Sequence, residues 1–147
     1  MSDTLTQTEA DHLIALEKMR VDDARHAYPS PGGALSIPLI SINKKEDFLL
    51  DIHKSRIDLK KGKYQPRARQ TIPLVRLDFG GAPHTNPDGT SIPCPHLHIY
   101  REGFGDKWAD PAPIDVFTDL ANLYQTLVQF MEFCNISQPP FINEGLF

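Results

Sequence analysis

Cys94-Pro95-His96-Leu97-His98-Ile99-Tyr100-Arg101-Glu102 reads as a β-strand, and its alternation decides the fold. Residues i, i+2 and i+4 of a strand share a face. His96, His98 and Tyr100 therefore point one way, and Leu97 and Ile99 point into a core. Residues 72–79 alternate in the same manner, with Val75, Leu77 and Phe79 on one side and Arg76 and Asp78 on the other. Between the two segments runs a polar connection, residues 80–95, whose Asn86-Pro87-Asp88-Gly89 core is a tight-turn signature. Antiparallel pairing through this connection would make one face apolar. It would gather Arg76, Asp78, His96, His98 and Tyr100 on the other, with His84 folding over it. Arg67 and Arg69 alternate in the same sense on the preceding segment.

Working outward, Thr6-Gln7-Thr8-Glu9 is a capping box that opens a helix over about residues 7–25, with Ala10, Leu13, Ile14, Leu16 and Met19 as its apolar face. Tyr28-Pro29-Ser30-Pro31-Gly32-Gly33 breaks the chain. Strand patterns then occupy about residues 36–101. Lys44-Lys45-Glu46-Asp47 joins the first two as a hairpin, residues 56–60 alternate strictly, and Lys61-Gly62-Lys63 reads as a turn. Pro66 and Pro73 mark edges, bulges or strand starts. A second, longer helix is expected over about residues 115–134, where Phe117, Leu120, Tyr124, Leu127, Met131 and Cys134 recur at three and four residues. Asn135 suits the left-handed position that ends it. The tail, residues 136–147, carries Pro139-Pro140-Phe141-Ile142 and Leu146-Phe147 and is apolar enough to pack back. The expected architecture is one α+β domain over residues 1–147: an antiparallel sheet of about five to six strands against an N-terminal and a longer C-terminal helix.

A chain of 147 residues, 40% hydrophobic, can bury a core without disulfide staples. Two distant cysteines, Cys94 and Cys134, form no disulfide framework and suit a reducing compartment. No secretory leader or membrane-length apolar run is visible, so a cytoplasmic protein away from membranes is expected. The net charge of −4 is uneven. Lys54, Arg56, Lys60, Lys61, Lys63, Arg67, Arg69 and Arg76 fall in one segment with only Asp58 against them, which suits local binding of a polyanion such as RNA.

Three imidazoles within residues 84–98, of six in the chain, mark a candidate site. His53 lies on a strand segment outside that cluster. The first reading is metal-independent phosphodiester cleavage in the manner of a toxin-like ribonuclease, with no cofactor. His96 and His98 are the acid/base pair and His84 an alternative acid, because histidine titrates near the working pH. Asp78 orients an imidazole, and Tyr100 positions or donates. Arg67, Arg69 and Arg76 offer forked donors to phosphate, beside Lys63 and Arg101. Tyr64 or Trp108 stacks a base. The second reading is a zinc or manganese site built from His84, His96 and His98, with Asp78 able to complete it. A third class is a non-catalytic protein that binds a partner such as an antitoxin or a defence component.

Two resemblances add to this. His96-Leu97-His98-Ile99-Tyr100 resembles the histidine-triad pattern, in which the middle histidine, here His98, attacks an α-phosphate. The third histidine of that pattern is Tyr100 here. More broadly, Pro83-His84-Thr85-Asn86-Pro87-Asp88-Gly89, the run from Pro93 to Gly103 and Gly105-Asp106-Lys107-Trp108-Ala109 resemble a family of small bacterial and phage-associated proteins of unknown function. Tyr64 with Arg67, and the Phe-Cys-Asn at the end of the last helix, fit it as well. That resemblance implies a bacterial or prophage setting and a whole-chain domain, and it carries no activity with it.

Overall fold

The structure is a computed structural model that describes residues 4–57 and 61–144. In chain order its elements are α1 (Gln7–Ala15), β1 (Lys18–Arg20), β2 (Arg25–Ala27), β3 (Ala34–Ser41), β4 (Asp47–Lys54), β5 (Gly62–Ala68), β6 (Ile72–Pro73) and β7 (Val75–Phe79). There follow β8 (His84–Thr85), β9 (Ser91–Ile92), β10 (His96–Ile99), β11 (Ala109–Pro111), α2 (Leu123–Phe133), β12 (Ile136–Gln138) and β13 (Phe141–Asn143). Nine of these strands build one sheet in the order β11-β10-β7-β5-β4-β3-β1-β12, with β6 also on β5. Its pairings are antiparallel except β1 with β12. Two small ribbons, β2 with β13 and β8 with β9, stand apart. The fold is α+β, but the sheet is larger than five to six strands and is mixed. No helix among the described residues is long and apolar enough to cross a membrane.

Both helices are shorter than their apolar spacing suggests. The capping box forms as read, with Thr6 Oγ1 accepting from the Glu9 backbone N–H. α1 then stops at Ala15, because Lys18 turns its buried ammonium back onto the last carbonyls. Lys18 Nζ donates to Ile14 O at 2.9 Å, Leu16 O at 2.8 Å and Cys134 O at 2.9 Å. Cations are favourable at helix C-termini, and this one ties the ends of α1 and α2 together. Met19 belongs to β1, so residues 18–25 are not helix. α2 begins at Leu123 rather than near 115. An isolated turn at Phe117, whose N–H reaches Pro113 O, is followed by Thr118 and Asp119, and Asn122 caps the helix afresh. Short polar side chains of this kind compete with the helical backbone. Asn135 takes φ 59° as expected.

Lys44 at φ 62° forms the β3–β4 hairpin. Arg56 and Ile57 lie in a bend, with Ile57 94% exposed, rather than in a strand. The rest of the alternating segment, residues 58–60, lies outside the described residues, as do Leu146 and Phe147 of the tail. Gly62 opens β5 where a turn was expected. A Cβ there would stand 2.7 Å from His53 O and 2.9 Å from the Phe79 ring, so the close approach of β4, β5 and β7 requires glycine. The tail does pack back, as β12 and β13.

One sheet face is apolar. Phe48, Leu50 and Ile52 of β4, Tyr64 of β5, Leu77 and Phe79 of β7 and Leu97 of β10 join Ala10 and Leu13 of α1 with Leu127 and Phe130 of α2 in a single buried cluster. Each large side chain buried this way contributes about 1.5–3 kcal/mol. The other face carries the polar partners of the same alternation, and the candidate site lies there.

Candidate active site

β7 and β10 pair antiparallel with His96 opposite Asp78, Leu97 opposite Leu77 and His98 opposite Arg76. Opposed residues share a face, so Arg76, Asp78, His96 and His98 meet on one patch. The β8–β9 arm folds over them. The His84 ring centroid lies 4.5 Å from that of His98 and 5.6 Å from that of His96, and the latter two are 5.1 Å apart. Asn86 holds the arm down: its side chain accepts from Ala109 N–H at 2.8 Å and donates to Ala109 O at 2.9 Å. Under this cover His96 is 3% and His98 0% exposed.

The hydrogen bonds assign the imidazole nitrogens. His98 Nδ1–H donates to Asp106 O at 2.7 Å, which leaves Nε2 to accept from Arg76 Nη2 at 3.0 Å. His84 Nε2–H donates to Lys107 O at 2.7 Å. His96 Nε2–H donates to Asp78 Oδ2 at 3.2 Å, so its Nδ1 carries the lone pair, and that buried atom has no partner among the described residues. Burial lowers the His96 pKa from its ordinary value by more than the neighbouring Asp78 carboxylate restores. Burial opposes ionisation of Asp78 too, but the guanidinium of Arg76 overcomes it and holds the carboxyl well below the usual carboxylate range. His96 is thus a neutral imidazole with an unshared lone pair, held by a permanently ionised aspartate.

Several expected participants lie elsewhere. Tyr100 leaves the histidine face: its hydroxyl donates to Leu5 O at 3.0 Å and accepts from Leu5 N–H at 2.7 Å inside the core. Tyr64 is fully buried, with its hydroxyl on Tyr28 and on Leu123 O, and cannot stack a base. Arg67 gives its fork to Asp51 and Gln70 O. Arg69 sits at φ 52° in the β5–β6 turn and pairs with Glu46 at 3.3 Å. Neither arginine joins the histidines, so the expected convergence of both on one phosphate position does not occur. Arg76 does join them, but as an organiser that bonds Asp78, Asp106 and His98 at once. Arg101 lies 4.2 Å over the Trp108 ring, and Phe104 meets that ring edge-on at 5.7 Å.

Asp78, His96 and His98 offer ligand atoms within 4.8 Å of one another, a spacing that suits a metal ion. The charge arrangement does not. Arg76 Nη2 lies 3.2 Å from Asp78 Oδ2 and 3.0 Å from His98 Nε2, so the guanidinium already occupies the bonds a dication would need. A second cation beside it would be repelled.

The sheet register also brings in residues that local spacing leaves out. His53, Lys63, Asp78 and His96 stand in one row across β4, β5, β7 and β10. That row borders a cavity of about 530 Å3, whose wall also includes Arg56, Lys61 and Cys94. Arg56, Lys61 and Lys63 form no ion pair among the described residues. His53 is far from the histidine cluster in sequence, and only the pairing of β4 with β5 brings it alongside.

The chain matches a family of unknown function (DUF6978) over residues 5–136 and belongs to that family. No curated protein and no solved structure matches it.

Proposed function

We propose that this protein cleaves RNA without a metal ion, by attack of a ribose 2′-hydroxyl on the adjacent phosphate. The observation that carries this reading is the His96 Nδ1 lone pair. It is neutral, buried and without a partner among the described residues, in a residue that borders a cationic cavity. His96 Nδ1 takes the 2′-hydroxyl proton. The 2′-oxygen bonds to phosphorus, the bond from phosphorus to the 5′-oxygen breaks, and His84, protonated on both nitrogens, gives its Nδ1 proton to the leaving oxygen. The products are a 2′,3′-cyclic phosphate and a 5′-hydroxyl. Lys63, two strands from His96 in the same row, stabilises the charge that builds on the phosphorane. His98 has both nitrogens occupied and acts as a positioning residue, not as the second half of an acid/base pair with His96.

The test is cleavage of an end-labelled structured RNA by wild type, His96→Ala and His84→Ala, each with EDTA and with added zinc or manganese. Acid/base catalysis of this kind contributes about 10²–10⁴-fold, so either variant should lose at least 100-fold with EDTA-resistant wild-type activity and cyclic-phosphate ends. Activity that requires added metal would reassign the histidines as ligands. Folded wild type that cleaves nothing would sink the reading.

A further inference from the structure

We infer that the cavity beside His96 holds a second phosphate of the same strand, so that the substrate is an oligoribonucleotide rather than a mononucleotide. The choice of ligand rests on the phosphodiester reading above; the site itself stands on the shape and charge of the cavity. His96 borders one end. Gly32, His53 and Arg56 border the other, at the β4 side. From β10 to β4 there are three inter-strand steps of about 4.8 Å, roughly 14 Å. One phosphate placed at His96 can meet Lys63 but cannot also meet the β4 side.

The far wall nevertheless has its own cations. Arg56 lies over Gly32, where a Cβ would come within 3.2 Å of Arg56 Nε, and Lys61 lies over Gly81, where a Cβ would come within 3.2 Å of Lys61 Cε. Both side chains are thus laid against glycines along the cavity wall, without carboxylate partners among the described residues. Among the described residues the one acid of the lining is Asp78, and Arg76 already neutralises it. A trough with a proton acceptor at one end and, beyond it, two cations without an ion-pair partner among the described residues fits a chain of phosphates. Its volume falls in the range of small-ligand sites and exceeds what one phosphate fills.

The experiment uses the full chain carrying His96→Ala, so that binding is read without turnover. Fluorescence anisotropy of a labelled hexaribonucleotide is compared with competition by a nucleoside 3′-monophosphate and by inorganic phosphate. The same titrations are made after adding Arg56→Ala with Lys61→Ala, and after Lys61→Glu alone. The expected result is hexamer binding at least tenfold tighter than the monophosphate. The double change should weaken the hexamer at least tenfold and leave the monophosphate nearly unaffected. The slope of log K against log salt should fall by about 0.7 for each phosphate that no longer meets a cation. Equal affinity for hexamer and monophosphate, or hexamer binding untouched by these substitutions, would overturn the inference. Failure of cleavage with this binding pattern intact would remove the acid/base reading and leave the subsite standing. Cleavage indifferent to Arg56 and Lys61 would do the reverse.

Discussion

Arg76 sets the charge balance of the site. Its guanidinium bonds both oxygens of Asp78 at 2.9 and 3.2 Å, Asp106 at 2.8 Å and His98 Nε2 at 3.0 Å. Lysine has the charge but not the fork, so Arg76→Lys keeps at most part of these bonds. Arg76→Met removes all of them and leaves Asp78 without its main counter-charge in a setting only 20% exposed. Breaking one half of a buried pair costs about 3–5 kcal/mol, and the residual exposure of both partners reduces that to about 2 kcal/mol. Urea unfolding should give about that loss for Arg76→Met and a smaller one for Arg76→Lys. Equal midpoints for wild type and both variants would show that Asp78 does not depend on this arginine. Asp78→Asn separates orientation from charge. It keeps the size of the side chain but leaves one acceptor oxygen where Arg76 and His96 use two, so the bond that fixes His96 with its lone pair on Nδ1 is weakened, and turnover should fall more than tenfold with KM little changed.

At the scale of elements, the β8–β9 arm is the part of the site that can be loosened without touching the histidines. Its grip on β11 and the residues just before it runs through the two Asn86 bonds to Ala109 and the His84 bond to Lys107 O. Asn86→Ala leaves Ala109 N–H and O without their partners, at about 1–3 kcal/mol. The arm carries His84, so turnover should fall while the oligonucleotide affinity set by Arg56 and Lys61 remains. Hydrogen exchange should quicken in residues 84–92 and stay slow in β7. If exchange quickens equally in both, the arm is not a separate unit. The arm also shows how far local spacing reaches. The β7–β10 pairing follows from a period of two on either side of a turn, so Arg76, Asp78, His96 and His98 can be placed together from sequence. Asn86 looks like a turn residue only, because its long-range bonds to Ala109 leave no trace in local spacing. Tyr100 departs for a related reason. The alternation that would put it with the histidines ends at Ile99, and its N–H bonds Leu74 O where β7 has already given way to Pro73 and Leu74. Met19 and Phe117 are apolar at helical spacing and so read as helical. Phe117 packs inward and Met19 is half-buried, both from non-helical backbone, and spacing does not distinguish such positions from a helical face.

Over the whole molecule, the site makes stability depend on pH in two steps with the same sign. His96 in the fold binds its proton only at a pH below the ordinary value near 6.5, because burial disfavours the imidazolium. Below about 6.5 the unfolded chain therefore takes up more protons at this position than the folded one, and stability falls as pH falls. Asp78 is depressed as well, as is Asp51, where burial is outweighed by Arg67, Ser36 and Gln65. Their stabilisation is complete above the ordinary carboxylate value of 3.8 and is lost as pH drops through the folded values. The expected curve is flat above about pH 7, declines from about pH 6.5 and declines again below about pH 4. For a chain of this length 1 kcal/mol moves the melting temperature by about 3 °C, so thermal melts at about pH 7.5, 5.5 and 3.5 resolve both legs. His96→Gln lacks the titrating imidazole but can still donate to Asp78. It should flatten the first leg and keep the second, which belongs to the carboxylates. A first leg that survives His96→Gln unchanged would assign it to one of the other five histidines and remove the case that His96 is held neutral by burial.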